Sequence, residues 1–262
     1  MAFDLNNFVI DRIVRGVALS QKDDSVLFSI NQIQNASLNC ASESADAVDA
    51  LGTPIATFYR AKTAEFSAEN ALFDLNLMST QLGTKKKVAS ADAKITVPAM
   101  ESFTVAEGLK YELKHAPKAA PSEIYALNGD STFGVKYSMA TAADAEHFSI
   151  AGSTISLPTD LKVGSDMFVM YEYETENAVE VVNSATEFPV GCKFIMEVLG
   201  CDVCDQTNLV YAYVIFNNFK LSPDFDWSIA TDGAHPFSGK AQQDYCDKEK
   251  RLFSIVVPGD EE

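Results

Sequence analysis

"PIATFYRAKTAEFSAENALFDLNLMSTQLG", residues 54–83, carries two patterns in one unbroken run. Pro54 to Phe66 is rich in Thr, Phe and Tyr, side chains that fit a pleated, half-buried strand. From Ser67 the spacing changes. Ser67 is placed to cap a helix, Glu69 suits its first turn, and Leu72, Phe73, Leu75, Leu77, Met78 and Leu82 supply an apolar face. Gly83 then stops it. The reading is a long strand feeding one helix at about 67–82, with the apolar stripe packed on a sheet.

Outward from this stretch the chain is short β segments punctuated by turns. Val26 to Ile30 begins an early strand. Residues 84–94, "TKKKVASADAK", are small and charged, without periodicity, and read as a connector. Beyond them Lys94–Val97, Ser102–Val105, Tyr111–Lys114, Ser122–Leu127, Thr132–Ser138, Phe148–Ile150 and Met167–Glu174 follow at a spacing that suits a small sandwich. Residues 95–180 are therefore expected to form an inserted β-sandwich module. The first sheet resumes after it: Phe194, Met196 and Val198 alternate with Lys193 and Glu197, as in a half-buried strand. Leu209 to Lys220 and Leu252 to Val257 are two further apolar strands. The fold class is mainly β: a sandwich core from 1–94 and 181–262 with one helix, plus the module at 95–180.

Composition narrows the function classes. The 262 residues are 47% hydrophobic, enough for a packed core. The opening "MAFDLNNFVI" has Asp4 and no Lys or Arg, unlike an export signal, so the chain is expected to be soluble and unsecreted. Net charge is −17, unevenly spread. Residues 1–94 carry 9 basic and 11 acidic residues, 95–180 carry 5 and 13, and 181–262 carry 6 and 13. Such a surface repels phosphate, and Lys85–Lys87 is too small a cluster to offset it.

Several constellations hold residue types suited to chemistry. Asp232, His235 and Ser238 are the residue types of a hydrolase, but they crowd one stretch after a strong Asp-Gly turn signal, and triads rarely converge from adjacent backbone. That stretch is expected to be a hairpin connection between "DFDWSIA" and "FSGKAQQDY". Asp224 and Asp226 flank Phe225 as in a strand, without the cleft a glycosidase pair needs. Glu172, Glu174 and Glu176 share one strand face, more in keeping with solvated glutamates than with a calcium site. Gly129 to Gly134 has the spacing of a phosphate loop but continues Val135-Lys136. Five cysteines include the pair Cys201 and Cys204 with Cys192 and Cys246 outside it; packed or turn thiols are expected, with a zinc site of those four as the alternative. No catalytic, cofactor-binding or metal-ligating residue is assigned, and no enzyme is expected.

"VIFNNFKLSPDFDWSIATDGAHPFSGKAQQDY" followed by "RLFSIVVPGD" resembles the C-terminal part of tailed-bacteriophage major tail (tail tube) proteins. The run "GTPIATFYRAKTAEFSAENALFDLNLMSTQLGT" looks like the long hairpin and single helix of that family. The two stretches cover about a third of the chain. The resemblance implies a virion structural protein that self-assembles as stacked homohexameric rings into a hollow, acidic-lined conduit for genome ejection. Its partners would be further copies, other tail proteins and a sheath where one exists. It would pass DNA without binding it and be made in the host cytoplasm, and residues 95–180 would be an outward insertion. The rivals are an Ig-like capsid decoration or tail-completion protein, and a carbohydrate-binding or hydrolytic β-sandwich hinted at by Trp227.

Overall fold

The computed structural model describes residues 7–245 and 248–259. The chain divides into two compact units: residues up to Lys86 together with those from Val181 onward, and Lys87–Glu180.

The first unit begins with β1 (Phe8–Ser20), β2 (Val26–Ile30), β3 (Ile33–Val48), β4 (Pro54–Asn70) and α1 (Leu75–Leu82). The second holds β5 (Lys87–Val88), β6 (Ile95–Thr104), β7 (Lys110–Glu112), β8 (Glu123–Leu127), β9 (Phe133–Met139), β10 (His147–Ala151), β11 (Thr154–Ser156), β12 (Asp166–Thr175) and β13 (Val179–Glu180). The chain then returns to the first unit through β14 (Gly191–Asp202), β15 (Asp205–Leu221), β16 (His235–Ala241) and β17 (Ser254–Val256). The fold is mainly β, with one helix among the described residues.

The helix is shorter than its sequence pattern predicts. Residues 67–70 stay in β4, because Ser67 and Asn70 are held between two neighbours, Ser238 and His235 of β16 on one side and Ser37 and Ile33 of β3 on the other. Pairing on both edges overrides the local capping signal. The cap is Asp74 instead: its side chain accepts from the Leu77 N–H at 2.7 Å, leaving Leu72 and Phe73 outside the helix. Gly83 ends α1 as expected, at φ +72°, a left-handed conformation that costs glycine little.

The first unit is one sheet in the order β2-β1-β14-β15-β16-β4-β3, with β17 on β15. β15 pairs with β14 along one edge; its other edge is shared between β17 at Tyr213–Ile215 and β16 at Phe219–Leu221. β4 and β14 stand three strand steps apart, about 14 Å in a flat sheet. Yet the rings of Phe66 and Phe194 lie 5.9 Å apart. The sheet therefore curls over its own face and closes on a cluster of phenylalanines: Phe28, Phe66, Phe194, Phe216, Phe219 and Phe237. Leu77 of α1 completes that core.

The curl takes in only part of the β3–β4 hairpin. Ala64, Phe66, Ala68 and Asn70 are buried, whereas every residue from 39 to 63 is exposed. This arm ends in a tight turn in which the Asp49 carboxylate accepts from the N–H groups of Leu51 and Thr53, each at 2.8 Å.

The second unit has its own seven-stranded sheet in the order β6-β12-β8-β9-β10-β11-β7, and its own core around Phe148, Ile124, Ile155 and Met167. The two expected segments Lys94–Val97 and Ser102–Val105 are one strand, β6, paired with β12 over its whole length. The unit starts at Lys87 rather than at residue 95, since β5 pairs with β13 to join the entering and leaving chains.

Candidate functional site

The stretch around Asp232, His235 and Ser238 is built as a clasp. Residues 222–234 contain no strand, so the expected strand "DFDWSIA" does not form; a long loop joins β15 to β16. Asp224 and Asp226 are exposed on that loop. The Asp-Gly signal does mark a turn, closed by the Gly233 N–H donating to the Ala230 carbonyl at 3.1 Å. A Cβ at Gly233 would sit 2.1 Å from the Ser228 carbonyl oxygen, so only glycine fits there.

His235, the first residue of β16, is fully buried. Its Nε2 lies 2.8 Å from Gln81 Oε1, and its Nδ1 accepts from the Asp74 N–H at 3.4 Å. Gln81 Nε2 in turn donates to the Pro236 carbonyl, which leaves Gln81 Oε1 as acceptor and puts the imidazole proton on Nε2. Burial pushes the His235 pKa below its usual 6.5, against a smaller upward pull from Asp74. Both ring nitrogens are thus spent tying the start of β16 to α1. Ser238 belongs to the opposite face of β16, because His235, Phe237 and Gly239 alternate inward. The structure does not bring Asp232, His235 and Ser238 together. Above the imidazole, Phe73 stacks on His235 with centroids 5.2 Å apart, and Trp227 stacks on Phe73 at 4.3 Å. Trp227 pins the loop.

The other candidate groups are also placed. Glu174 pairs with Lys118 at 2.8 Å and Glu176 with Lys94 at 3.2 Å, so these carboxylates have lysine partners. Gly129 lies in the turn between antiparallel β8 and β9, closed by the Ser131 N–H on the Asn128 carbonyl at 2.8 Å, and Gly134 lies within β9, not in a strand-to-helix phosphate loop. Cys201 and Cys204 sit at the β14–β15 turn, whereas Cys192 lies at the far end of β14, about 30 Å of strand away. Cys192 is buried, its thiol pushed up to about 12 by burial, and donates to the Phe219 carbonyl at 3.3 Å. Cys246 lies outside the described residues. Among the described residues, no group of three or more His, Cys, Asp or Glu is arranged to hold a metal ion, and no helix is long and apolar enough to cross a membrane.

What remains is a surface. The arm exposes Val48, Leu51, Ile55, Phe58 and Tyr59, with Leu51 at 91% and Tyr59 at 71% of full exposure. Among the described residues both of its outer edges are open, since β16 reaches β4 only from Glu65 to Asn70 and β3 ends the sheet. A two-stranded ribbon is marginal alone in water. Unpaired strand edges are also templates for another chain. Residue patterning predicts the long strand at 54–66 but not its partner, β3; a long hairpin here is implied only by the resemblance. β3 reads "IQNASLNCASESADAV", small and polar, without the alternation that betrays a half-buried strand.

No curated relative matches the sequence. The sequence does match the YomU/Tube protein family from residue 8 to residue 254, across the curled sheet, the clasp and the second unit. With the match spanning nearly the whole chain, this protein belongs to the YomU/Tube protein family.

Proposed function

We propose that the chain is the tube subunit of a bacteriophage tail, joining with copies of itself into hexameric rings that stack as a hollow conduit for the genome. The observation that carries this reading is the arm: among the described residues, 39–63 form a paired hairpin exposed along its length with both outer edges unpaired, carrying Leu51, Ile55, Phe58 and Tyr59 into solvent. Such a ribbon is stable when another subunit covers it, and repeated head-to-tail contacts of that kind generate rings and stacks. The family membership supports a tube-forming role, and the net charge of −17 suits a channel wall that DNA must slide past without adhering. In this reading the protein works through shape and charge rather than catalysis. Its partners are its own copies and the other proteins of the virion tail, and assembly takes place in the host cytoplasm.

Negative-stain microscopy of the purified protein, alone and with tail-initiation proteins, tests the proposal. Rings or tubes are expected. Protein that stays monomeric by light scattering at every salt concentration, even with those initiators, overturns it. A second experiment concerns the inserted unit. Ala89 N–H donates to the Ala178 carbonyl at 2.9 Å, and Val88 pairs with Val179, so the chain ends at that point are neighbours. Replacing residues 89–178 by a short Gly/Ser linker is expected to leave tube formation intact. Loss of assembly by that otherwise folded protein removes the outward-insertion part of the proposal.

A further inference from the structure

The second unit carries a cleft that the tube reading does not use. It has a volume of about 510 Å³ and opens on the outer face of the β6-β12-β8-β9 sheet, beside the β8–β9 turn. One wall is aromatic. Phe168 points outward from β12 between the inward-facing Met167 and Val169, and Phe133 leans on it with centroids 5.1 Å apart. Tyr125 supports Phe133 from the other side at 5.2 Å. Even so buttressed, Phe133 remains 60% exposed. The facing wall is polar: Ser102 on β6, Asp166 on β12, and Asn128 and Ser131 in the turn. Thr104 Oγ1 donates to Asp166 Oδ1 at 2.7 Å, which fixes the carboxylate and leaves its second oxygen for a ligand.

We infer that this cleft is a binding site for a neutral saccharide. An exposed phenyl face beside fixed hydrogen-bonding groups matches the two-sided chemistry of a pyranose. The axial C–H bonds, slightly positive, meet the negative face of the ring. The hydroxyls donate to a carboxylate and exchange hydrogen bonds with amide and hydroxyl groups. Charge excludes the obvious rivals. The cleft contains one carboxylate and no Lys, Arg or His, and residues 95–180 carry 13 acidic against 5 basic residues, so phosphorylated, sulfated or carboxylated ligands are repelled. A purely apolar ligand would strip water from Asp166 and Asn128 without replacing their hydrogen bonds. A neutral polyol satisfies both walls. The inference stands on the second unit alone and does not depend on how the first unit assembles.

The test is a titration of the full-length protein with maltoheptaose, cellohexaose and chitohexaose, each to about 10 mM, followed by backbone amide shifts. At least one is expected to shift residues 128–133 and 166–168, with a Kd of about 0.1–10 mM, the range open to a shallow site with few polar contacts. Phe133→Ala is expected to weaken that binding about tenfold or more, and Asp166→Asn about tenfold. Val135→Ala, exposed on the same strand but outside the cleft, leaves it unchanged. Phe133 is a surface residue, so its variant should keep the wild-type spectrum elsewhere, and Asp166→Asn serves as the second probe if it does not. Three outcomes overturn the inference: no shift at the cleft with any of the three sugars, undiminished binding by both variants, or equal binding of a sulfated oligosaccharide.

Discussion

The two units of this chain meet the same problem, covering a sheet's apolar face, in opposite ways. The first curls one long sheet around six phenylalanines and then runs the β3–β4 hairpin out past the core, leaving residues 39–63 exposed. The second is smaller, and its strands close over Phe148, Ile124 and Met167. Among the groups each unit buries are a histidine in the first and a carboxylate in the second, and these differ in kind. His235 in the first unit is neutral and ties strand to helix. Glu101 in the second sits 4% exposed and accepts from the hydroxyls of Tyr111 and Tyr171 and from the Lys114 N–H. The difference teaches where each unit's stability is stored: in ring packing in one, in ring packing plus a satisfied buried charge in the other.

The sharpest way to break this comparison is Phe66→Ala. Phe66 touches the rings of Phe194, Phe216, Phe219 and Phe237, so it ties β4 into the curl. Its loss is expected to cost the first unit about 3–5 kcal/mol in chemical denaturation. Amide exchange in residues 87–180 should be unaffected; matching losses there would mean that the two units do not store stability separately.

Glu101→Ala is the counterpart in the second unit. It strands the hydroxyls of buried Tyr171 and half-buried Tyr111, with an expected cost of about 2–3 kcal/mol read from amide exchange in residues 87–180. If Glu101 proves replaceable at no cost, the buried charge is not part of what holds that unit.

Acid separates the units more gently. Burial holds the His235 pKa below 6.5, so as pH falls through about 6.5 the unfolded chain takes a proton that the folded chain refuses, and the first unit loses stability. For Glu101, burial pushes the pKa up, but the two tyrosines and the Lys114 N–H more than offset it and hold it below 4.5. Its contribution is therefore kept above that pH and lost as pH falls below it. Between pH 6.5 and 4.5, amide protection factors in the first unit, taken relative to the intrinsic exchange rate at each pH, should fall while the Glu101 contribution persists. A second unit that loosens first would reverse the assignment.

The smallest effect on the isolated chain belongs to the arm. Phe58→Ser with Tyr59→Ser changes residues already 56% and 71% exposed, so folding stability should move by about 0.5 kcal/mol or less. Assembly, scored by microscopy, should nevertheless fail. A double variant that still forms rings and stacks would show that the arm is not an assembly surface.

The sequence by itself determined the β character, the strands whose alternation faces a core, and the glycine that ends the helix. Phe194, Met196 and Val198 were legible because period-two burial is written directly into residue order. The late cluster was legible as structure rather than chemistry, though its partners were not: nothing in the residues near His235 points to Gln81, more than 150 positions earlier. Tertiary structure alone decided three further things. It moved the helix start from Ser67 to Asp74, because strand pairing on both sides of β4 outweighs about 1 kcal/mol of capping preference. It revealed β3, whose polar sequence has no core to alternate against. And it separated the buried half of β4 from its exposed half, although "FYRAKTAEF" runs through the boundary without a break. Burial there depends on where the curled sheet ends, and that edge is set by strands distant in sequence.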